Sequence, residues 1–277
     1  MKKKLKKLLK LYFPKLVKII KIVKEKKDHI TFEGWGMITY TINTPWLDNK
    51  NKEALLFNRV HQKILKSIKN ETFIDTTPNN TKDDTIEMVE GLKWRHYIIL
   101  YTINIVSNFT KNRVFVECGV GDGLSSVYIL HTINKDKSKL YLYDSWSPMK
   151  KKYLISKNEI KNVGNYKNLK LSITKNNLKK FSSNIIYNVG DIPEVFENSK
   201  NPRKISWLHI DLNSSIPTLG SLEFFYDKLE KNGIILFDDY GWKNYEDTKR
   251  IVDKFLKSKK GSFMQFPTGQ GFFIKNE

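Results

Sequence analysis

The chain has 277 residues, 40% of them hydrophobic and 13% aromatic. That is enough to bury a core and to form one large α/β domain with an extension, which excludes a disordered chain. The formal net charge is +20, but twelve lysines against one glutamate fall in residues 1–27. A single cysteine excludes an intramolecular disulfide and points to a reducing, cytoplasmic setting, and the absence of C-x-x-C or H-x-x-x-H spacing argues against a zinc site.

Residues 1–30 read as a basic amphipathic helix. Apolar side chains recur at Leu5, Leu8, Leu9, Tyr12, Leu16, Ile19, Ile20 and Val23, with lysines on the opposite face and Pro14 as a kink. Such a helix can lie on an anionic membrane surface, pack against the domain, or build a homo-oligomer. It is too often interrupted by lysine to span a bilayer. The interleaved aromatic and basic residues of a nucleic-acid platform are missing. Residues 31–84 form an N-terminal cap or extension: a loop with aromatic anchors (Phe32, Trp35, Trp46), a helix over 51–69, and a polar surface loop or linker over 70–84. A further helical stretch over 85–109 opens the main domain, 85–277.

The chain is organised around Val114-Phe115-Val116-Glu117-Cys118-Gly119-Val120-Gly121-Asp122-Gly123. A β-branched apolar run stops at an acid, alternate glycines follow, and a helical pattern begins at Leu124. This predicts a buried strand, a tight turn and a helix N-terminus, the nucleotide-cradling start of a Rossmann-like α/β sheet with helices on both faces. Side chains at the glycines would hold the backbone off a ligand. The dinucleotide spacing G-x-G-x-x-G fits poorly, because its third small residue falls on Leu124. The spacing acid-x-Gly-x-Gly-x-Gly at Glu117, Gly119, Gly121 and Gly123 resembles the first motif of class I S-adenosylmethionine (SAM) methyltransferases. In those enzymes the glycines approach the methionine part of the cofactor and the acid orients the loop.

Four more apolar strands follow, each ending in an acid. Leu140–Tyr143 leads to Asp144, placed to accept from ribose hydroxyls. Ile185–Val189 leads to Gly190 and Asp191, a candidate contact to the adenine amino group or a plain turn. Ile205–Ile210 leads to Asp211, and Gly233–Phe237 to Asp238 and Asp239. Strand ends on the carboxyl side of such a sheet meet the ligand, so these last three carboxylates are expected to converge. Clustered acids without Cys or His motifs suit oxygen-seeking Mg²⁺. His209 shares a strand face with Asp211 and reads either as a base or as a hydrogen-bonded core histidine. Residues 147–180 are polar and lysine-rich, helix plus loop. A terminal antiparallel hairpin, 262–266 with 272–274, closes the chain.

With these residues together, the chain resembles the macrocin O-methyltransferase (TylF-type) family, sugar O-methyltransferases that use SAM and Mg²⁺. The matching pieces are Val116–Val120 with Gly123 and Ser125-Ser126, Asp144-Ser145, Gly190–Pro193, His209–Asp211 with Pro217-Thr218, and Gly233–Gly241. The resemblance implies a SAM-dependent O-methyltransferase acting on a carbohydrate hydroxyl of a polysaccharide or glycolipid. It implies cofactor binding by Glu117, Gly119, Gly121, Gly123, Ser125, Asp144, Ser145 and Asp191, metal binding by Asp211, Asp238 and Asp239, and Asp211 as the base. The sequence departs from the pattern at Asn213, where an acid is usual, and at Ser214-Ser215-Ile216. A phenolic or secondary-metabolite acceptor, or a non-catalytic basic protein docking on membrane or nucleic acid, are the other readings of the same residues.

Overall fold

The computed structural model describes residues 52–76, 81–111, 113–133 and 137–277. The basic helix expected over residues 1–30 and the aromatic loop over 31–47 lie outside these residues.

Three helices precede the sheet: α1 (Lys52–Lys69), α2 (Lys82–Gly91) and α3 (Lys93–Phe109). α2 starts at a capping box, in which Thr81 accepts from Asp84 N–H and the Asp84 carboxylate accepts from Thr81 N–H. The sheet follows: β1 (Val114–Cys118), α4 (Leu124–Thr132), β2 (Lys139–Asp144), the short α5 (Lys157–Ile160) and α6 (Leu171–Asn177), β3 (Ile185–Val189), β4 (Ile205–Ile210), α7 (Ser215–Phe225), β5 (Leu229–Phe237), α8 (Glu246–Leu256), β6 (Gly261–Gln265) and β7 (Gly271–Lys275).

The seven strands lie in the order β3-β2-β1-β4-β5-β7-β6. The first five pair in parallel, and β7 inserts antiparallel between β5 and β6. This is the expected Rossmann-like sheet with its terminal hairpin. β4 is buried at every position, as a central parallel strand covered on both faces must be. Alternation splits the side chains into two cores. Phe115, Leu140, Trp207 and Leu236 pack on one side with Phe57, Leu100 and Tyr128, so α1, α3 and α4 cover that face. Val116, Leu208 and Ile235 point the other way, onto Phe225 and Val252 of α7 and α8.

The order reverses between β1 and β4, and the crevice outside the strand ends at that switch point is where such sheets bind ligands. The 70–84 segment is more than a polar surface loop. Phe73 is buried, and Thr76 N–H donates to the Asp122 carboxylate in the glycine turn (2.6 Å). Among the described residues, no helix is long and apolar enough to cross a membrane.

Candidate active site

A cavity of about 420 Å³ opens at the carboxyl ends of the parallel strands, within the range of small-ligand sites. Gly119, Gly121, Ser125, Asp144, Ser145, Asp191, Asp211, Asp238 and Asp239 all line it. Glu117 and Gly123 do not.

The glycine turn is built by two different constraints. A Cβ on Gly119 would fall 1.8 Å from the Asp211 carbonyl oxygen. Glycine is needed there for the ends of β1 and β4 to meet, with Asp211 N–H donating to the Cys118 carbonyl (2.9 Å). Gly121, at φ +56°, has nothing within 4 Å of its Cβ position. The space over Gly121 is therefore open to a ligand, while its own N–H donates to Asp144 and its carbonyl accepts from Thr174 Oγ1 (2.8 Å) and Trp146 Nε1 (3.2 Å).

Asp144 holds this turn in place. Its Oδ2 accepts from the N–H groups of Val120 (2.7 Å) and Gly121 (3.0 Å), and Oδ1 accepts from Trp146 N–H (2.7 Å). Burial raises its pKa, and the three N–H donors oppose that rise. With Oδ2 fully engaged, one lone pair of Oδ1 remains for a ribose hydroxyl. Asp191 stands on the wall beyond it, ion-paired with Lys150 (2.6 Å).

Glu117 turns away from the cavity into the core. It is fully buried, accepts from Ser126 Oγ, and faces His209 Nδ1 at 3.2 Å. His209 is fully buried too, and its Nε2 lies 3.5 Å from Asp238 Oδ1. It is a hydrogen-bonded core histidine linking the first acid of the motif to the acid cluster.

The carboxylates that end β4 and β5 converge around a residue that sequence reasoning missed. Arg95, on α3, ion-pairs Asp238 and lies 3.7 Å from Asp239. Asp238 also accepts from Gln270 Nε2 in the hairpin turn (2.8 Å). Asp239 is deeply buried beside Asp211, and burial followed by that neighbouring charge pushes its carboxyl up to about 7. Its Oδ2 has no donor. Composition held a signal for Arg95: only five of the 49 basic residues are arginine, the side chain suited to a fixed, buried carboxylate partner.

Trp242 and Tyr245 complete this wall. Arg95 stacks on the Trp242 ring at 5.1 Å, and Tyr245 OH donates to Asn213 Oδ1 (2.5 Å). Tyr166 lines the cavity at φ +63°, a strained setting for a bulky residue. Tyr240, by contrast, is a packing residue whose hydroxyl donates to Asp253.

Three carboxylates against one guanidinium leave the cluster anionic. Ligand atoms of His209, Asp211 and Asp238 lie within 4.8 Å of one another. Two of these three are carboxylates, and with the unpartnered Asp239 Oδ2 beside Asp211 they are oxygen donors of the type that a Mg²⁺ ion takes. The open space over Gly121 likewise fits a ligand lying along the turn.

Over residues 116–240 the sequence matches the family model described as a methyltransferase domain. No curated protein sequence matches the chain. Among solved structures, the O-methyltransferase NovP superposes with a TM-score of 0.62 at 13% identity, over 82% of this chain and all of that one. CalS11, described as a TDP-rhamnose 3'-O-methyltransferase of calicheamicin biosynthesis, superposes at 0.50 with 14% identity, over 79% and 94% of the two chains. Residues 116–240 thus match a methyltransferase domain, and the chain has the Rossmann-like fold of the class I methyltransferases.

Proposed function

We propose that the protein transfers a methyl group from SAM to a hydroxyl of a carbohydrate, in a polysaccharide or glycolipid precursor, with Mg²⁺ assisting and an aspartate as base. The observation that carries this reading is the gathering of Asp211, Asp238 and Asp239 in the same cavity as the open glycine turn. A binding module has no use for three carboxylates there. The two superposed enzymes are both O-methyltransferases by description, and one acts on a nucleotide-linked sugar.

SAM, when bound, supplies an electrophilic methyl group. The glycine turn and Asp144 would hold its methionine and ribose ends, and the acid cluster lines the same cavity for the acceptor. A sugar hydroxyl is a poor nucleophile until it loses its proton. Asp211, Asp238 and Asp239 would hold a Mg²⁺ ion, whose Lewis acidity would ease that loss. Asp211 takes the proton, and the adjacent Asp239 keeps the pair basic enough near neutral pH to do so. Arg95 balances Asp238, so the charge at the site is fixed before substrates arrive.

Transfer of labelled methyl from SAM to a panel of sugars and phenols tests the reading. Asp211→Asn is expected to lower turnover by about 10²–10⁴-fold while leaving cofactor affinity within a few-fold. Turnover retained by that variant rules out Asp211 as the base, and methylation of phenols but not sugars moves the acceptor to the phenolic class.

A further inference from the structure

The stretch from Met149 to Asn165 leaves the domain and returns to its starting point. Met149 N–H donates to the Asn165 carbonyl (3.0 Å), and Gly164 N–H donates to the Met149 carbonyl (2.9 Å). This is a compact surface loop with closed ends. Its inner side is pinned. Glu159, the sole acid between residues 147 and 180, is buried and accepts from Ile155 N–H (2.9 Å), Ser156 N–H (3.3 Å) and, across to α7, Ser215 N–H (2.7 Å). Ser214 Oγ donates to the Tyr153 carbonyl (2.5 Å). Met149, Lys150, Tyr153 and Leu154 form part of the cavity wall.

The outer side carries exposed aliphatic side chains. Ile155, Ile160 and Val163 are 60%, 42% and 45% exposed, three aliphatic side chains within nine residues on a loop that is held too firmly to fold them away. Between and around them stand the exposed Lys151, Lys152, Lys157, Lys161 and Lys167. Among the described residues, only Lys152 of these five has an acid partner, Glu194 at 3.0 Å with Asp191 beyond it. The loop's own residues therefore present aliphatic groups and positive charge with no exposed acid; the acids that meet it are Glu194, on Lys152 and Tyr153, and Asp191, on Lys150. Aliphatic groups ringed by lysine match one surface well, an anionic bilayer, where the lysines meet headgroups and the aliphatic tips enter the acyl boundary. A second copy of this chain fits badly, because a two-fold contact through this face sets lysine against lysine.

We propose that the 149–165 loop docks the protein on an anionic lipid surface, with Ile155, Ile160 and Val163 inserted, so that the cavity mouth faces the membrane. Docking does not depend on the methyltransferase reading; only its corollary, that the acceptor sugar is carried at the membrane, rests on it.

The test uses the full chain. The native Cys118 is fully buried, so Ile160→Cys can be labelled selectively with an environment-sensitive NBD fluorophore. Vesicles of phosphatidylglycerol and phosphatidylcholine are expected to shift the emission to the blue and brighten it, and a nitroxide placed in the acyl region is expected to quench it. Phosphatidylcholine alone should do neither. A label at Lys231→Cys, exposed near the start of β5 and away from the strand ends that form the cavity, should stay unchanged. The combined Ile155→Ser, Ile160→Ser and Val163→Ser variant should melt like the parent and bind anionic vesicles about tenfold more weakly. The proposal is overturned if the chain sediments with vesicles while the label at 160 is unaffected, since another segment then does the binding. It is also overturned if anionic vesicles are not bound, or if the emission changes with protein concentration alone, which would make the face a self-association surface.

Discussion

Arg95 decides how the acid cluster behaves. Asp238 is 8% exposed at its side chain and Arg95 16%, so removing the guanidinium leaves a buried carboxylate without its cation. Arg95→Ala should cost about 3–5 kcal/mol of stability, measured by denaturant unfolding. It should also change the pH dependence of turnover. The Asp239 carboxyl, raised to about 7, must be ionised for the pair to accept a proton, so turnover without added metal is expected to rise as pH passes through about 7. Arg95 lowers the Asp239 pKa, so its loss moves that limb to higher pH. An unmoved limb would show that Asp239 does not control the reaction.

The same shift acts on stability with the opposite sign. A carboxyl whose pKa is raised on folding keeps more protons in the native state than in the unfolded chain. Stability therefore falls as pH rises from about 4 to about 7, the interval between the ordinary and the folded values. A divalent cation relieves the repulsion that causes this. Mg²⁺ is accordingly expected to raise the melting temperature more at pH 8 than at pH 5, and equal effects would place the ion elsewhere. The acids were legible in the sequence because each ends an apolar strand. Arg95 and Tyr166 were not, because nothing local in a helix or a lysine-rich loop reveals which side chain a distant strand end will need.

At the scale of elements, one buried glutamate shapes the loop that forms a cavity wall. Glu159 closes a capping box with Ser156 at the start of α5 and ties that turn to the first residue of α7. Glu159→Ala should free the loop, cost about 2 kcal/mol through the lost charged hydrogen bonds, and speed amide hydrogen exchange in residues 150–165. Unchanged exchange would mean that the Ser214 contact alone holds it. The sequence pattern indicates helix and loop here and no more, since a charged residue in a lysine-rich segment reads as solvated until the packing is seen. The strands were far easier to place. β3 falls where its apolar run does, and the antiparallel hairpin follows from two aromatic runs flanking Pro267-Thr268-Gly269. What the pattern could not give was the insertion of β7 beside β5, which brings Gln270 onto Asp238.

For the whole molecule, the order of the strands matters more than any single motif. The reversal between β1 and β4 sets the glycine turn next to the acids of β4 and β5, while α3 adds Arg95 and the connection between α1 and α2 adds the Thr76 contact to the same cavity. The glycine spacing already favours SAM over a dinucleotide, because Leu124 stands where the third small residue of the dinucleotide pattern falls. The terminal hairpin adds to that preference, since a plain dinucleotide fold does not need it. The claim on which everything else depends is that this cavity holds SAM. Calorimetric titration with S-adenosylhomocysteine, with NAD as the control and each run with and without Mg²⁺, tests it most directly. The account predicts micromolar binding of S-adenosylhomocysteine and none of NAD. Failure to bind S-adenosylhomocysteine under either condition would contradict it, and would leave the glycine turn as architecture alone.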